Sequence, residues 1–531
     1  MISYQHNPTP RRSWQPWLYG AFCLLALSIG GCRSADMKKD AQDYGFLNQT
    51  PSQGAYLTDD AGDAKIIQPG KHWMGRVDAD AGLTFVSWRL TNGAHQFCIV
   101  VLCDPVEDRL LLLPLDDGES PLVVLTDPAR RHDYERQLKT IRQELAARPS
   151  SGRLISASLI EAVDDKRLGP PLPPPQQVLA VAANFPSHLK QDLLLEDPDV
   201  IEGLRGTRPR VFVKYPPVFP LPGMTPAEEV VGIIGPFDTI FYPPKIHVPV
   251  TDDAGQPVRV DTHVDYEAEI GMVIGRRLTW EDVQTASDRD LFEAIIGYLL
   301  VSDTKARNPQ VVQNIISRDD PLPADPGPYL TGDERIDRQI GFWDKETCKW
   351  WSYAAGWGDY AGLGPFLVAA PSSGSWPDRM MLAGRSYAPE AVRGQPIPSG
   401  HTADTIYLRQ SVIVSTRDGY DDRMLWTIPQ IIRSTLAPDN ALDFQPGPRT
   451  LYPGDIISLG TPGGTVITVK SKAVVDFADA LLFWWEPLDW HDAFFGGSQA
   501  MYLNPGDHVY FWAQDLGYQR HRMAPFDTEG P

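Results

Sequence analysis

The residues best placed to do chemistry lie in one short run, Val264 to Gly275, which reads VDYEAEIGMVIG. Val264, Tyr266, Ala268, Ile270, Met272 and Ile274 fall on one parity, and Asp265, Glu267 and Glu269 on the other. Such alternation predicts a half-buried strand whose apolar side packs into a core while the acids project from the opposite face. Side chains two apart on a strand stand roughly 6.5–7 Å apart, so Glu267 and Glu269 could share one cation. Without it, their like charges would repel and raise each other's pKa. For an E-x-E taken alone, a solvated strand face is the competing reading. A third carboxylate, Asp303, ends the apolar run AIIGYLLVSD, a second predicted strand. The set Glu267, Glu269 and Asp303 is all oxygen and anionic, with no Cys or His. Hard ligands of that kind suit Mg²⁺, Mn²⁺ or Ca²⁺ rather than zinc or copper, and three of them leave positions open for a bidentate substrate.

Other blocks flank this run. VAANFPSH carries Asn184 and His188, RVFVK ends at Lys214, TKAR follows Asp303 and ends at Arg307, and LYPGDIISLGTPGG carries Asp455, Thr461, Gly463 and Gly464. Glycine turns of the last kind expose backbone N–H groups able to hold a carboxylate, although a tight turn alone also explains Gly463 and Gly464.

In chain order, VAANFPSH, the acidic run, AIIGYLLVSD with TKAR, and LYPGDIISLGTPGG resemble the fumarylacetoacetate hydrolase (FAH) superfamily. The block LNPGDHVYFWAQDLGYQRHR, Leu503 to Arg522, is similar to the closing strands of that family, so the resemblance spans about residues 165–525. It implies a β-rich mixed α/β fold, a twisted β-roll or sandwich preceded by a small N-terminal β-rich domain. It implies substrates like 2-oxo acids and 1,3-diketones, with the metal stabilising charge on an enolate or carboxylate oxygen. It places the family's mobile histidine at His188. Many relatives pair that histidine with a Glu three residues on; here the position is Gln191, which can orient an imidazole but not pair with it as a charge. Asp192 and Glu196 are nearby substitutes. Relatives also carry a Lys about ten residues before an LGP turn. Here that position is Ala355, and Lys345 and Lys349 do not align. His188, Gln191 and Lys214 are therefore the catalytic candidates, and Arg307, Thr461, Gly463 and Gly464 the substrate-binding ones, with Lys214 and Arg307 as cations for a substrate carboxylate. The implied function is metal-dependent hydrolysis or decarboxylation at a C–C bond. The alternative is a catalytically impaired binding protein of the same fold, which Gln191 and Ala355 favour.

The elements that must position these residues follow from local pattern. TFVSWRL, FCIVVLC and RLLLLPL read as strands of a first domain, residues 55–168. A helix runs from Asp127 to Ala147, with Asp127 as N-cap and Pro128 at the first helical position. The run 169–175, GPPLPPP, is an extended connector, and residues 176–531 form the second domain. There VLAVAANF and RVFVK are predicted strands, with His188 in a mobile polar stretch between them. Val412 to Ser415 is a strand and WTIPQIIRSTL a helix. Residues 320–357 and 472–498 look inserted. The second holds Trp484, Trp485 and Trp490 with no Lys or Arg nearby, which favours packing over the barrel mouth or at a subunit contact rather than on a membrane surface. Cys98 and Cys103, five apart on one strand, should point to opposite faces and form no disulfide.

The formal charge of −20 and the lack of any basic run argue against nucleic acid. Arg11 and Arg12 precede the apolar WLYGAFCLLALSIGG, which ends at Cys32. That is the layout of a secretory signal, too short to span a membrane. Ile29-Gly30-Gly31-Cys32 resembles a bacterial lipobox, so residues 1–31 are read as a signal peptide, Cys32 as lipidated and residues 32–54 as a tether. The expected address is the cell envelope, on the periplasmic face of the outer membrane, with a membrane contact through lipid alone. A homodimer is compatible with this reading.

Overall fold

The computed structural model describes mainly residues 81–147, 153–193, 197–215, 232–242, 246–251, 257–260, 264–307, 360–370, 379–387, 407–415, 424–438, 449–462, 505–513 and 515–525. Short pieces at 56–58, 64–66, 74, 76–77, 332–333, 355–356 and 503 complete it. The signal, Cys32, Gly463, Gly464, Lys345, Lys349, Glu196 and the 472–498 insertion lie outside the described residues, as do the side chains of Gln191 and Asp192. Contacts divide the chain into Met1–Ile67 and Gln68–Pro531. In the first unit, Tyr56–Thr58 and Ala64–Ile66 form an antiparallel pair.

The second unit is β-rich and mixed α/β, built on an 11-stranded sheet. Across it run Ile155–Ala157, Arg109–Pro114, His95–Asp104, Thr84–Arg89, Ala361–Ala369, Ile295–Ala306, Val264–Ile274, Ile456–Ser458, Val178–Val181 and Val211–Tyr215, while Leu168–Gly169 pairs with Thr84–Arg89 off that path. The pairs are antiparallel except Ile456–Ser458 with Val178–Val181. Strands from both sides of the Pro-rich connector thus share one sheet, joined where Thr84 and Phe85 pair with Val368 and Leu367.

A second sheet has the order Ile240–Tyr242, Gly517–Pro525, His508–Ala513, Arg379–Tyr387 and Tyr407–Ser415. It packs on the first through its apolar side chains, the usual way two sheets bury their inner faces. Phe511 meets Tyr266 edge-on, with ring centroids 6.2 Å apart. Val509, Phe511 and Met523 share the largest core with Val264, Tyr266, Ile270 and Met272 of the acidic strand and with Leu189, Val200 and Ile431 of the helices.

Local signals account for the helices. Pro128–Ala147 starts where Asp127 Oδ1 accepts the Ala129 and Arg130 amides at 2.9 and 3.3 Å. Ile428–Leu436 is opened by a capping box between Thr427 and Gln430. Two expectations change. The polar stretch around His188 is helical, Pro186–Leu193 and then Pro198–Arg205, the latter capped by Asp197 with Pro198 in its first turn. The apolar Leu189, Val200, Ile201 and Leu204 recur at helical spacing among its acids and bury against the core. Cys98 and Cys103 are both free and buried, but they enter the same core cluster. A register shift between Val100 and Leu102 inserts one residue into the strand and reverses the parity beyond it.

Candidate metal and substrate site

The acidic strand is not half-buried. All eleven residues of Val264–Ile274 are buried, as are the twelve of its neighbour Ile295–Ala306. The apolar parity behaves as predicted, but the opposite face is closed over as well, so the acids project into the interior. The two strands pair antiparallel with Glu267 opposite Asp303 and Asp265 opposite Lys305. Opposite residues share a face, and so do residues two apart. That register alone gathers Asp265, Glu267, Glu269, Asp303 and Lys305 on one side.

Glu267, Glu269 and Asp303 each offer an oxygen, and these atoms lie within 4.8 Å of one another. Cations surround them. Lys305 Nζ pairs with Glu267 Oε2 and lies 3.0 Å from Asp303 Oδ2. Arg307 donates through Nε to Asp265 Oδ2 at 2.8 Å and through its NH2 group to Glu267 Oε1. Lys214, from Val211–Tyr215, donates to Asp303 Oδ1 at 2.6 Å and to the carbonyls of Thr304 and Ala355 at 3.3 and 3.5 Å. Ser458 Oγ donates to Glu269 Oε2.

The electrostatics follow from this packing. Burial, then Asp303 and, less strongly, Glu267, lift the Glu269 carboxyl well above the usual carboxylate range, only partly opposed by Lys305 and the Ser458 hydroxyl. Burial would also raise Asp303, but Lys214 and Lys305 outweigh it and hold that carboxyl low. Burial lowers Lys214 against the pull of Asp303. Lys305 and Arg307 are raised because their carboxylates outweigh the burial that would lower them.

A hard divalent ion fits this donor set. Three carboxylates already converge, and Asp303 Oδ2 is buried without a hydrogen bond of good geometry. Among the described residues the cluster has four acids, Asp265, Glu267, Glu269 and Asp303, against the bases Lys214, Lys305 and Arg307.

The segment after Asp455 runs beside this cluster and brings Thr461 to it. Gly271 pairs with Ser458, Leu459 N donates to Ile270 O at 3.0 Å, and Thr461 Oγ1 donates to Ala268 O at 3.5 Å. Thr461 therefore runs alongside the acidic strand between its two glutamates. Asn184 braces the turn before the His188 helix: its Nδ2 donates to Leu459 O at 2.8 Å and its Oδ1 accepts Trp426 N at 3.1 Å. At Gly460, φ is +87° and an added Cβ would sit 2.5 Å from Val181 O, so only glycine lets these two segments approach. His188 itself is buried on Pro186–Leu193. Asp455 serves structure, accepting Gln177 N, Gln177 Nε2 and Tyr452 N at 3.1, 2.8 and 2.8 Å.

Lys214 and Arg307, expected as cations for a substrate carboxylate, are instead tied to the protein's own acids. The ammonium of Lys214 also lies 3.5 Å from the carbonyl of Ala355, the position where the resemblance expects a lysine. Sequence reasoning missed Lys305 and Ser458. Lys305 had a signal, since Asp303, Lys305 and Arg307 lie two apart and must share a face on a strand. Ser458 had none.

The family model described as fumarylacetoacetate (FAA) hydrolase C-terminal matches residues 178–524. None of the curated proteins compared with the chain matches it. Similar solved structures include a probable 2-hydroxyhepta-2,4-diene-1,7-dioate isomerase from Mycobacterium abscessus, 19% identical over 85% of this chain and 100% of that one, with a TM-score of 0.38. Another is a fumarylacetoacetate hydrolase from the psychrophilic Exiguobacterium antarcticum, 16% identical over 84% and 100%, with a TM-score of 0.41. A third is a 5-carboxymethyl-2-hydroxymuconate delta-isomerase from Mycobacterium smegmatis, 17% identical over 83% and 99%, with a TM-score of 0.39.

Proposed function

The chain belongs to the fumarylacetoacetate (FAA) hydrolase family, and from that membership we propose a divalent-metal enzyme that acts on a C–C bond of a 2-oxo acid or 1,3-diketone. The reaction is acylpyruvate-type hydrolysis or oxaloacetate-type decarboxylation, and the metal is Mg²⁺, with Mn²⁺ or Ca²⁺ as substitutes. The observation that carries this reading is the convergence of Glu267, Glu269 and Asp303, all buried, within 4.8 Å. These three residues would hold the ion. When bound, it would supply Lewis-acid stabilisation of negative charge on a substrate oxygen.

The chain's own residues do the rest. Lys214 and Arg307 fix the carboxylates by charge-assisted hydrogen bonds, so the donor set is held before substrate arrives. Thr461 stands beside the acidic strand, and its hydroxyl turns from the Ala268 carbonyl to donate to a substrate carboxylate. His188 moves the proton, with Gln191 orienting its ring. Closure of both faces of the acidic strand keeps bulk water from the carboxylates and strengthens every charge interaction among them.

The test is a turnover screen of acylpyruvates and oxaloacetate with Mg²⁺ or Mn²⁺, together with calorimetric metal binding by wild type, Glu267→Ala and Glu269→Ala. Both variants should lose the ion and the activity. Full metal content in both would refute the site. One observation favours a second reading, a binding protein without turnover: Lys214, Lys305 and Arg307 already answer the acids. That reading expects wild type to bind 2-oxo acids and convert none of them.

A further inference from the structure

We infer that Lys305 is a tethered cation that occupies the bridging position between Glu267 and Asp303 and competes there with a divalent ion. This inference rests on the metal reading above and adds a determinant of how tightly the site binds metal.

The geometry is specific. Two of the three triad carboxylates share the same ammonium: Lys305 Nζ is paired with Glu267 Oε2 and stands 3.0 Å from Asp303 Oδ2. The ammonium cannot withdraw to solvent while it holds these contacts, because its side chain is only 3% exposed. On one side it lies 4.9 Å from the centroid of the Phe212 ring, a face that attracts cations. The strand pairing fixes its origin, since Lys305 stands opposite Asp265 and two residues from Asp303. It therefore points into the cluster whenever the strand is in register.

A divalent ion bound by Glu267 and Asp303 would have to sit between their oxygens at about 2.0–2.6 Å from each. An ammonium within hydrogen-bonding reach of both oxygens fills that same space with like charge. The two cations exclude each other, so metal entry requires the ammonium to leave. The other bases are not in this position. Lys214 takes Asp303 Oδ1, and Arg307 takes Asp265 and the other oxygen of Glu267. Neither holds the two oxygens, Glu267 Oε2 and Asp303 Oδ2, that Lys305 bridges. Lys305 thus keeps the metal-free carboxylates paired, which stabilises the fold without an ion, and weakens the ion's binding by the same interaction.

The experiment compares Mn²⁺ and Mg²⁺ binding by full-chain wild type, Lys305→Met and Lys305→Arg, using calorimetry and thermal unfolding with and without metal. Lys305→Met keeps the stem against Phe212 and removes the charge. It should bind Mn²⁺ at least about tenfold more tightly than wild type, be less stable than wild type without metal, and be rescued by saturating Mn²⁺. Lys305→Arg, which keeps a cation there, should bind no more tightly than wild type. If Lys305→Met does not fold, Lys305→Ser purified with Mn²⁺ takes its place. Equal or weaker Mn²⁺ affinity in the neutral variants overturns the competition while leaving the metal reading intact. Absence of Mn²⁺ binding in wild type and in every neutral variant overturns both.

Discussion

Arg307→Met isolates what the buried cation network contributes. The guanidinium is 3% exposed and its two carboxylate partners are 0% and 2% exposed. At 2.8 Å and an effective dielectric of about 20, the Arg307–Asp265 attraction is about 6 kcal/mol before desolvation. Burying the ions cancels much of that, so the pair adds little net stability while both members are present. Removing one member is different. Asp265 would lose its guanidinium while the Tyr266 amide stays at 2.8 Å on its other oxygen, and Glu267 would lose one of the two cations that pair with it and keep Lys305. The expected loss is about 3–5 kcal/mol, the usual cost of stranding a buried charge. Over the roughly 460 residues of Gln68–Pro531, an unfolding entropy near 2.1 cal/mol/K per residue converts each kcal/mol to about 1 °C. Thermal unfolding monitored by circular dichroism should therefore show Tm lower by about 3–5 °C. Adding Asp265→Asn removes the stranded charge, and the double variant should recover about 1 kcal/mol or more relative to Arg307→Met alone. An unchanged Tm in Arg307→Met, or a double variant worse by the full sum of the two single losses, would refute the reasoning.

Three further outcomes are expected. Glu269 is lifted above its ordinary value of 4.5 chiefly by burial, so the metal-free fold holds a proton that the unfolded chain releases. Its stability should then fall as pH rises from about 4.5 through the folded pKa, while divalent binding strengthens over the same window and releases a proton. Calorimetry in buffers of different ionisation enthalpy measures that release, and Glu269→Gln should abolish it. For the enzyme reading, His188→Ala should lower turnover of an acylpyruvate by roughly 10²–10⁴-fold, and Gln191→Glu should raise it by giving the imidazole a charged partner. Unchanged turnover in His188→Ala removes His188 from the mechanism. We also propose that Cys32 is lipidated after cleavage behind Gly31. Mass spectrometry of the mature N-terminus should find a diacylglyceryl cysteine, and an unmodified chain beginning at Met1 would exclude it.

Alternation along Val264–Ile274 was enough to define a strand, its apolar side and its row of acids, because side-chain direction on a strand depends only on position parity. The same local rules set the Pro128–Ala147 helix through Asp127 and the Ile428–Leu436 helix through Thr427. The oxygen-only chemistry of Glu267, Glu269 and Asp303 was likewise legible, since ligand hardness belongs to the residue types. What surrounds those acids was not. Burial of their face depends on segments far away in sequence, and so does the partner each acid finds. Lys214 reaches Asp303 from 89 residues away, and Ser458 reaches Glu269 from 189. Parity shows that Lys305 and Asp303 share a face, yet only the register that sets Asp265 against Lys305 and Glu267 against Asp303 puts one ammonium between two carboxylates. A single inserted residue near Val101 was likewise enough to bring Cys98 and Cys103 into one core cluster. Local sequence determines which way a side chain points. Register and layer packing are set by the summed burial of many distant residues, and they decide what it meets.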